Sequence, residues 1–522
     1  MVFTVAVVFQ IFNTCRNEVE KADFVNNTRY MTVGQTRGMI YDRNMIPLVN
    51  REFHTMLTVN PTAEAMTVLK EELSPEDFEK IRLKAEYGNP FMFECDYYGG
   101  WCDDISTTIV YERYSSSDVA EHIIGYIDSE GNGVCGIEKS FEELLDKYSG
   151  SSGIRYIADA NGKMLGGTEI EIADNGYASG GGVVLTLDYE IQRVCENVMK
   201  NNNMQTGAVV VLDAETSEIL AAASAPVFDR NNLAEALVNE NKPFFNRAFG
   251  AYPVGSVFKP VVAAAALENG AETGVLYECR GNQQFSGVVF NCHKRSGHGV
   301  LDMSDAMSVS CNMYYIKLGL EAGADKIISV AQSLGFGRST QLCDGIESSA
   351  GNLPDCGKID SSASLANLSF GQGELLATPL QIAAVYGTFV NGGYYAEPKL
   401  VKGTMNADGV FLPVENTEKP EKVLTDNVCG KIRDMLLYTV EQGSGSLAAS
   451  MVGEVSGKTA TAETGKSENG EKTVHTWFAG NFSYEEKNYI IVVFRENGNS
   501  SSVDCAPVFR DIADGISGEK QN

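Results

Sequence analysis

Histidine and tryptophan are scarce in this chain, 5 and 2 residues among 522, and basic residues are outnumbered by acidic ones, 41 against 69. The resulting net charge of -28 comes with no Lys- and Arg-rich stripe along which a polyanion could lie, which sets nucleic acid aside as a partner. No CxxC and no local His–Cys cluster marks a metal site, so neither a metal nor another cofactor is expected. Low-complexity tracts and periodic repeats are also missing; the 52 glycines are scattered through turns such as Ser179-Gly180-Gly181-Gly182 and Asn391-Gly392-Gly393. No apolar run reaches bilayer-spanning length. The nearest approach, residues 1–12, is too short and lacks the basic flank of a signal peptide.

What is present is a globular composition. At 522 residues and 43% apolar, the chain is too long for one ordinary core, and two domains are expected. Its 12 cysteines suit disulfides in an oxidising compartment or free thiols in a reducing one, and the sequence does not choose.

Tyr252-Pro253-Val254-Gly255-Ser256-Val257-Phe258-Lys259-Pro260 sets a serine three residues before a lysine, ahead of an Ala-rich helical stretch that Asn269-Gly270 would cap. On a helix the two side chains share a face, which makes Ser256 a candidate nucleophile and Lys259 a candidate base among the free amides of a helix start. The tetrad alone is common: Ser517-Gly518-Glu519-Lys520 repeats the spacing in a polar tail. Two further elements follow in order. Ser310-Cys311-Asn312 lies where a turn feeds a helix with apolar residues on one side. A rival, Ser467-Glu468-Asn469, sits in a Gly- and charge-rich loop and in the wrong order. Gly457-Lys458-Thr459-Ala460-Thr461-Ala462-Glu463, with Thr476-Trp477-Phe478-Ala479-Gly480-Asn481 and Tyr489-Ile490-Ile491-Val492-Val493-Phe494, reads as strands of one antiparallel sheet. With the helices around Ser256, Ser310 and Pro379, this is an α+β layering: an antiparallel sheet flanked by helices, with the site where the Ser256 helix meets the Lys458 strand.

Serine-x-x-lysine, serine-x-asparagine and a lysine-threonine-glycine-like strand, in that order, resemble the signature of penicillin-binding proteins and serine β-lactamases. Arg37-Gly38-Met39-Ile40-Tyr41-Asp42-Arg43-Asn44 resembles the opening motif of the non-catalytic domain in class B penicillin-binding proteins. Gly136-Ile137-Glu138-Lys139-Ser140, Leu185-Thr186-Leu187-Asp188, Asn246-Arg247-Ala248, Gly371-Gln372-Gly373 and Thr378-Pro379-Leu380-Gln381 are similar to later family segments. The resemblance implies a partial membrane anchor at 1–22 continuing upstream, a pedestal or dimerisation domain at 23–180, a transpeptidase domain at 181–516 and a polar tail at 517–522. It also implies the cell membrane as location, with the catalytic domain on the extracytoplasmic side. Peptidoglycan stem peptides and β-lactams are the implied ligands, and a glycosyltransferase is the implied partner.

The function so implied is a peptidoglycan DD-transpeptidase working through a Ser256 acyl-enzyme. Lys259 is the general base, its pKa lowered by burial and by the Lys458 ammonium; Ser310 relays a proton and Asn312 holds the substrate amide and the lysine. Backbone amides of Ser256 and Thr461 form the oxyanion hole, and Lys458, Thr459 and Thr461 suit a terminal carboxylate. Ala460 stands where relatives carry glycine, and its methyl is expected either to narrow the groove or to mark weakened catalysis. Cys279 and Cys292 resemble a pair bridged in some relatives, and bridged and unbridged forms both stay open. His298 and Cys311 are read as structural, Trp477 and Phe478 as core, Arg37 and Asp42 as salt-bridged. Two other functions stay open: a DD-carboxypeptidase or β-lactamase using the same acyl-enzyme, and a catalytically weak scaffold of the wall-synthesis machinery.

Overall fold

Gly207–Asp213 is apolar at nearly every position, the pattern of a strand covered on both faces, and the structure explains why. The computed structural model describes residues 27–518 apart from 96–101, 116–117, 160–163, 166–169, 231, 286, 360, 416–418 and 469. The expected anchor at 1–22 and residues 519–522 of the tail lie outside the described residues. Five antiparallel strands, β1 (Gly207–Asp213), β2 (Ile219–Ala225), β3 (Glu454–Glu468), β4 (Glu471–Tyr484) and β5 (Lys487–Arg495), lie in the order β2-β1-β5-β4-β3. Helices α1 (Tyr189–Asn201), α2 (Lys259–Glu268), α3 (Met303–Ser308), α4 (Asn312–Ala322), α5 (Pro379–Val390), α6 (Asp426–Gln442) and α7 (Ala506–Ile516) complete the layers.

Successive strand residues point to opposite faces. Val209, Val211, Ile491 and Val493 therefore meet Cys195 and Met199 of α1 and Phe509 and Ile512 of α7. Val210, Leu212, Val492 and Phe494 join α2, α5 and α6 on the other side. Helix α5 begins as its sequence demands, with Pro379 in the first turn and a reciprocal capping box between Thr378 and Gln381. This is the expected α+β architecture.

Residues 27–180 build two three-stranded sheets. Gly150–Ile157 lies between Thr28–Thr36 and Glu171–Asn175; Glu52–Val59 lies between Phe91–Glu94 and Ile105–Glu112, over a small core with Leu57, Leu69 and Ile81. The short strand Met39–Tyr41 runs parallel to Gly182–Leu185, pairing Ile40 with Val183, and Ile40, Leu48, Ile137 and Leu145 enter the larger core. The base of the N-terminal section thus shares sheet and core with the C-terminal one.

Two of its polar residues are structural. Arg37 is buried, its Nε 3.1 Å from Glu138 Oε2 and its NH2 2.8 Å from Glu142 Oε2. Asp42, expected in a salt bridge, instead accepts backbone N–H groups of Asn44, Ile46 and Tyr189 at 2.7, 2.8 and 3.1 Å, closing the turn and tying it to α1.

Where α1 meets the N-terminal section, Glu196 accepts from Ala120 N at 2.8 Å and Gln192 Nε2 at 2.7 Å. Burial, then the neighbouring Glu121 carboxylate, pushes Glu196 from 4.5 up to about 8. The folded chain therefore holds this proton more tightly than the unfolded one. Its contribution to stability is fully present below 4.5 and is lost as pH rises toward about 8. Glu196→Gln should flatten that part of a melting-temperature-against-pH curve; an unchanged slope would show that another group titrates.

Candidate active site

The Ser256 turn is built on backbone contact. Gly255 takes φ +59°, and a side chain there would lie 3.1 Å from the Ala462 Cβ on β3. Its N–H donates to the Gly371 carbonyl at 2.9 Å, and a side chain on Gly371, itself at φ +76°, would fall 1.9 Å from the Gly255 oxygen. Two glycines in mutual backbone contact thus seat the turn against the edge of the sheet. Around it, Trp477 Nε1 donates to the Pro253 carbonyl at 3.0 Å and the Tyr386 hydroxyl to that of Val257 at 3.2 Å. The Tyr252 ring packs 4.1 Å from that of Phe494.

Ser256 does not stand in the α-helix itself, as its spacing to Lys259 suggests. It lies in a 3₁₀ turn, Gly255–Phe258, that runs into α2. Pro260 is the reason: without an N–H it cannot bond the carbonyl four residues back, and the Ser256 carbonyl accepts from Lys259 N–H instead. Three residues per turn bring positions i and i+3 to one side, so Ser256 and Lys259 share a face.

Lys259 is fully buried. Its Nζ donates to Asn312 Oδ1 at 2.7 Å, the Ser310 carbonyl at 2.8 Å and Ser310 Oγ at 3.1 Å. All three acceptors are neutral, and the Tyr315 ring lies 5.5 Å away. Burial without a carboxylate partner lowers the ammonium pKa to about 8. Ser310 can offer both oxygens because it adopts a left-handed conformation, φ +56°, between α3 and α4. That geometry costs a non-glycine residue about 1–3 kcal/mol. It is held by bonds from Ser310 N to Met307 O and from Cys311 N to Ala306 O, at 3.1 and 2.8 Å.

Lys458 is likewise fully buried on β3, and its Nζ curls to the Thr459 carbonyl at 3.1 Å and Thr459 Oγ1 at 3.4 Å. Burial first, then the charge on Lys259, lowers its pKa well below the ordinary lysine value. Burial is the first cause at both lysines, and the repulsion between the two ammoniums is mutual, as the expectation that Lys458 helps lower Lys259 requires. Thr459 and Thr461 face the other side of the strand. Thr459 is buried against Ser444, hydroxyl to hydroxyl at 2.9 Å, whereas Thr461 is exposed with its Oγ1 3.2 Å from Ser501 Oγ.

Ser444 and Ser501 carry no mark in the sequence. Ser444 follows α6 in a Gly-Ser-Gly turn that reads as an ordinary loop, yet its N–H donates to the Ser308 carbonyl at 3.0 Å. It therefore couples the end of α3, next to Ser310, to the Thr459 hydroxyl. The structure also gathers four residues that no short motif connects: Cys279, Cys292, His298 and Cys311 have donor atoms all within 4.8 Å of one another. Cys279 and Cys292 are free thiols. Trp477 and Phe478 are buried core, as expected.

Residues 207–514 match the family model described as "Penicillin binding protein transpeptidase domain". The chain belongs to the class B penicillin-binding proteins. It is 26% identical to peptidoglycan D,D-transpeptidase MrdA of Acinetobacter baumannii, covering 96% of this chain and 83% of that one. Among solved structures, penicillin-binding protein 3 of Mycobacterium tuberculosis complexed with aztreonam aligns with a TM-score of 0.67 at 24% identity, over 94% of this chain and 97% of that one. A chain from a peptidoglycan synthase complex aligns at 0.72, also 24% identical, over 99% and 97%. These two likenesses establish the fold.

Ala460 departs from the family pattern. It is buried in the main core, paired across the strands with Trp477 and on the face of β3 shared with Lys458 and Ala462. Its methyl fills core space. Ala460→Gly in this penicillin-binding protein should lower stability by about 0.5–1 kcal/mol through backbone freedom, with lost packing adding to it. Acylation by labelled penicillin should change little; a large gain in rate would show that the methyl obstructs the groove.

Proposed function

We propose that Ser256 is the nucleophile of this serine-type D,D-transpeptidase of peptidoglycan, with Lys259 as its base. The observation that carries the reading is the Lys259 amine: buried, lowered to about 8, one turn after Ser256 and bonded to Ser310 and Asn312. Neutral Lys259 takes the Ser256 proton as Oγ attacks the carbonyl between the two D-alanines of a stem peptide. Ser256 and Thr461 N–H groups bind the oxyanion, a pairing supported by the close seating of the turn on β3. Ser310 passes the proton to the departing D-alanine amine, and Asn312 orients the substrate amide. An amine of a neighbouring strand then attacks the Ser256 ester, the cross-link forms and the serine is regenerated.

Lys458 and the exposed Thr461 suit the substrate carboxylate, with Ala460 and buried Thr459 shaping the strand beneath. Strand β3 is the edge of its sheet among the described residues, so an extended peptide can add alongside it. Residues 23–180 serve as a pedestal lifting the catalytic module from an envelope membrane, tethered by residues 1–22 and anything preceding them. No helix among the described residues is long and apolar enough to cross a membrane. A glycosyltransferase of the wall-building machinery is the partner this arrangement suits. Incubating the purified chain with a stem pentapeptide and an acceptor amine tests the reaction. Release of D-alanine with cross-linked product, both lost in Ser256→Ala, is expected; release with hydrolysed product alone would make the chain a carboxypeptidase.

A further inference from the structure

Along Lys458-Thr459-Ala460-Thr461 only Thr461 is exposed, and its hydroxyl is held from behind. Its Oγ1 donates to Ser501 Oγ at 3.2 Å and accepts from Ser501 N–H at 3.5 Å. Ser501 is buried, and among the described residues its hydroxyl has no other hydrogen-bond partner. A threonine facing water on a strand would otherwise choose among its rotamers. Here one residue holds it in place. A serine that only satisfied its own polar group could take any neutral partner; the sole partner of this one is the hydroxyl assigned to the substrate.

The segment that supplies Ser501 is itself fixed. Between β5 and α7 the chain turns on Asp504, whose Oδ2 accepts from Asn499 N–H at 2.6 Å and from Ser500 N–H at 2.9 Å. A side chain on Gly498 would collide with the Thr476 hydroxyl and lie 2.8 Å from Asp504 Oδ2, so this turn packs directly on β4. Cys505 Sγ donates to the same Thr476 hydroxyl at 3.4 Å. The neighbouring residue reaches the other threonine. Ser502 Oγ donates to the Ser444 carbonyl at 3.0 Å, and Ser444 Oγ lies 2.9 Å from Thr459 Oγ1. One short helical turn, Ser501–Asp504, thus braces both hydroxyls of the strand from outside the three motifs.

We propose that Ser501 directs the Thr461 hydroxyl at the carboxylate of the incoming peptide or β-lactam, which makes it a positioning residue for substrate recognition. Thr461 has one hydroxyl proton to give. In the structure Ser501 Oγ receives it. With a carboxylate in place the proton turns to the anion, and Ser501, whose hydroxyl has no other commitment, donates its own to Thr461 Oγ1. No proton leaves either oxygen; the directions of two O–H bonds reverse. The count of hydrogen bonds within the protein is kept, and the new donation polarises Thr461 O–H toward the anion. The inference rests on the function proposed above, since it needs a substrate carboxylate at Thr461.

Acylation of the full-length purified chain by labelled penicillin, followed over a range of concentrations, tests this. In Ser501→Ala the half-saturating concentration should rise about 3–10-fold, the worth of one hydrogen bond, while the limiting rate stays within about 2-fold. Ser501→Thr, which returns a hydroxyl, should restore it. The methyl ester of the same penicillin, followed by intact mass, offers no anion, and Ser501→Ala should alter its acylation by less than about 2-fold. Thr461→Val should be as impaired as the double variant with Ser501→Ala, because Ser501 acts through Thr461. Equal losses with acid and ester, a loss confined to the limiting rate, additive losses in the double variant or an unchanged concentration dependence would each overturn the proposal. Ser501→Cys, close in size with a weak donor, gives the same comparison where the alanine chain fails to fold. If the unmodified chain takes up no penicillin, the Ser256 chemistry fails instead. Calorimetric binding of a stem pentapeptide then still reads Ser501: affinity about 3–10-fold weaker in Ser501→Ala supports the assignment, and equal affinity overturns it.

Discussion

Lys259→Arg should acylate with labelled penicillin about 10²–10⁴-fold more slowly than the unmodified chain, the usual worth of a positioned general base. The shape of its pH profile should change as well. In the unmodified chain the lowered amine, near about 8, becomes neutral as pH rises, so the acylation rate climbs through that value. A guanidinium cannot be deprotonated in this range, and the Arg variant should show no such climb. Lys259→Met separates the base from its packing, since methionine fills the buried slot without an amine. Acylation retained with an unchanged profile in Lys259→Arg would remove Lys259 from the base role and return the question to Lys458.

Glu138→Ala should cost about 3–5 kcal/mol of stability in denaturant unfolding. Its fully buried carboxylate receives Arg37 Nε at 3.1 Å, Arg113 Nε at 2.8 Å and the Tyr114 hydroxyl at 2.9 Å. Arg113 also donates to the Gly38 carbonyl at 2.8 Å, so the cluster pins the start of Met39–Tyr41, the strand that joins the two sections. Removing the acid leaves guanidinium charge buried and short of a partner. A loss within about 0.5 kcal/mol, the range of ordinary surface changes, would mean that Glu142 takes over or that water enters.

Much of this architecture is legible before any coordinates. The unbroken apolar run around Val210 and the one around Val492 announce strands with two covered faces; Ala-rich α2 and the Thr378-Pro379 start of α5 announce helices. Ser256, Ser310 and Lys458 are separable from their rivals at Ser517 and Ser467 because order and context, not spacing alone, distinguish them. The 3₁₀ turn is readable in principle, since Pro260 sits four residues after Ser256 and removes the bond an α-helix would make there. Ser444 is not: a hydroxyl in a Gly-Ser-Gly loop carries no signal until α6 places it over Thr459. The Cys279, Cys292, His298 and Cys311 set escapes for a related reason. Its members come from two ribbons and a helix start, and only tertiary folding brings those irregular intervals to one point. That both lysines are fully enclosed is equally hidden, because enclosure is set by tertiary packing.

The most direct measurement is mass-spectrometric mapping of the adduct formed when the purified chain is incubated with penicillin. A single covalent penicilloyl group on the peptide carrying Ser256, missing from a folded Ser256→Ala chain, is the expected result. An adduct on any other residue, or none at all on correctly folded protein, would contradict the acyl-enzyme and with it the catalytic reading of the cleft.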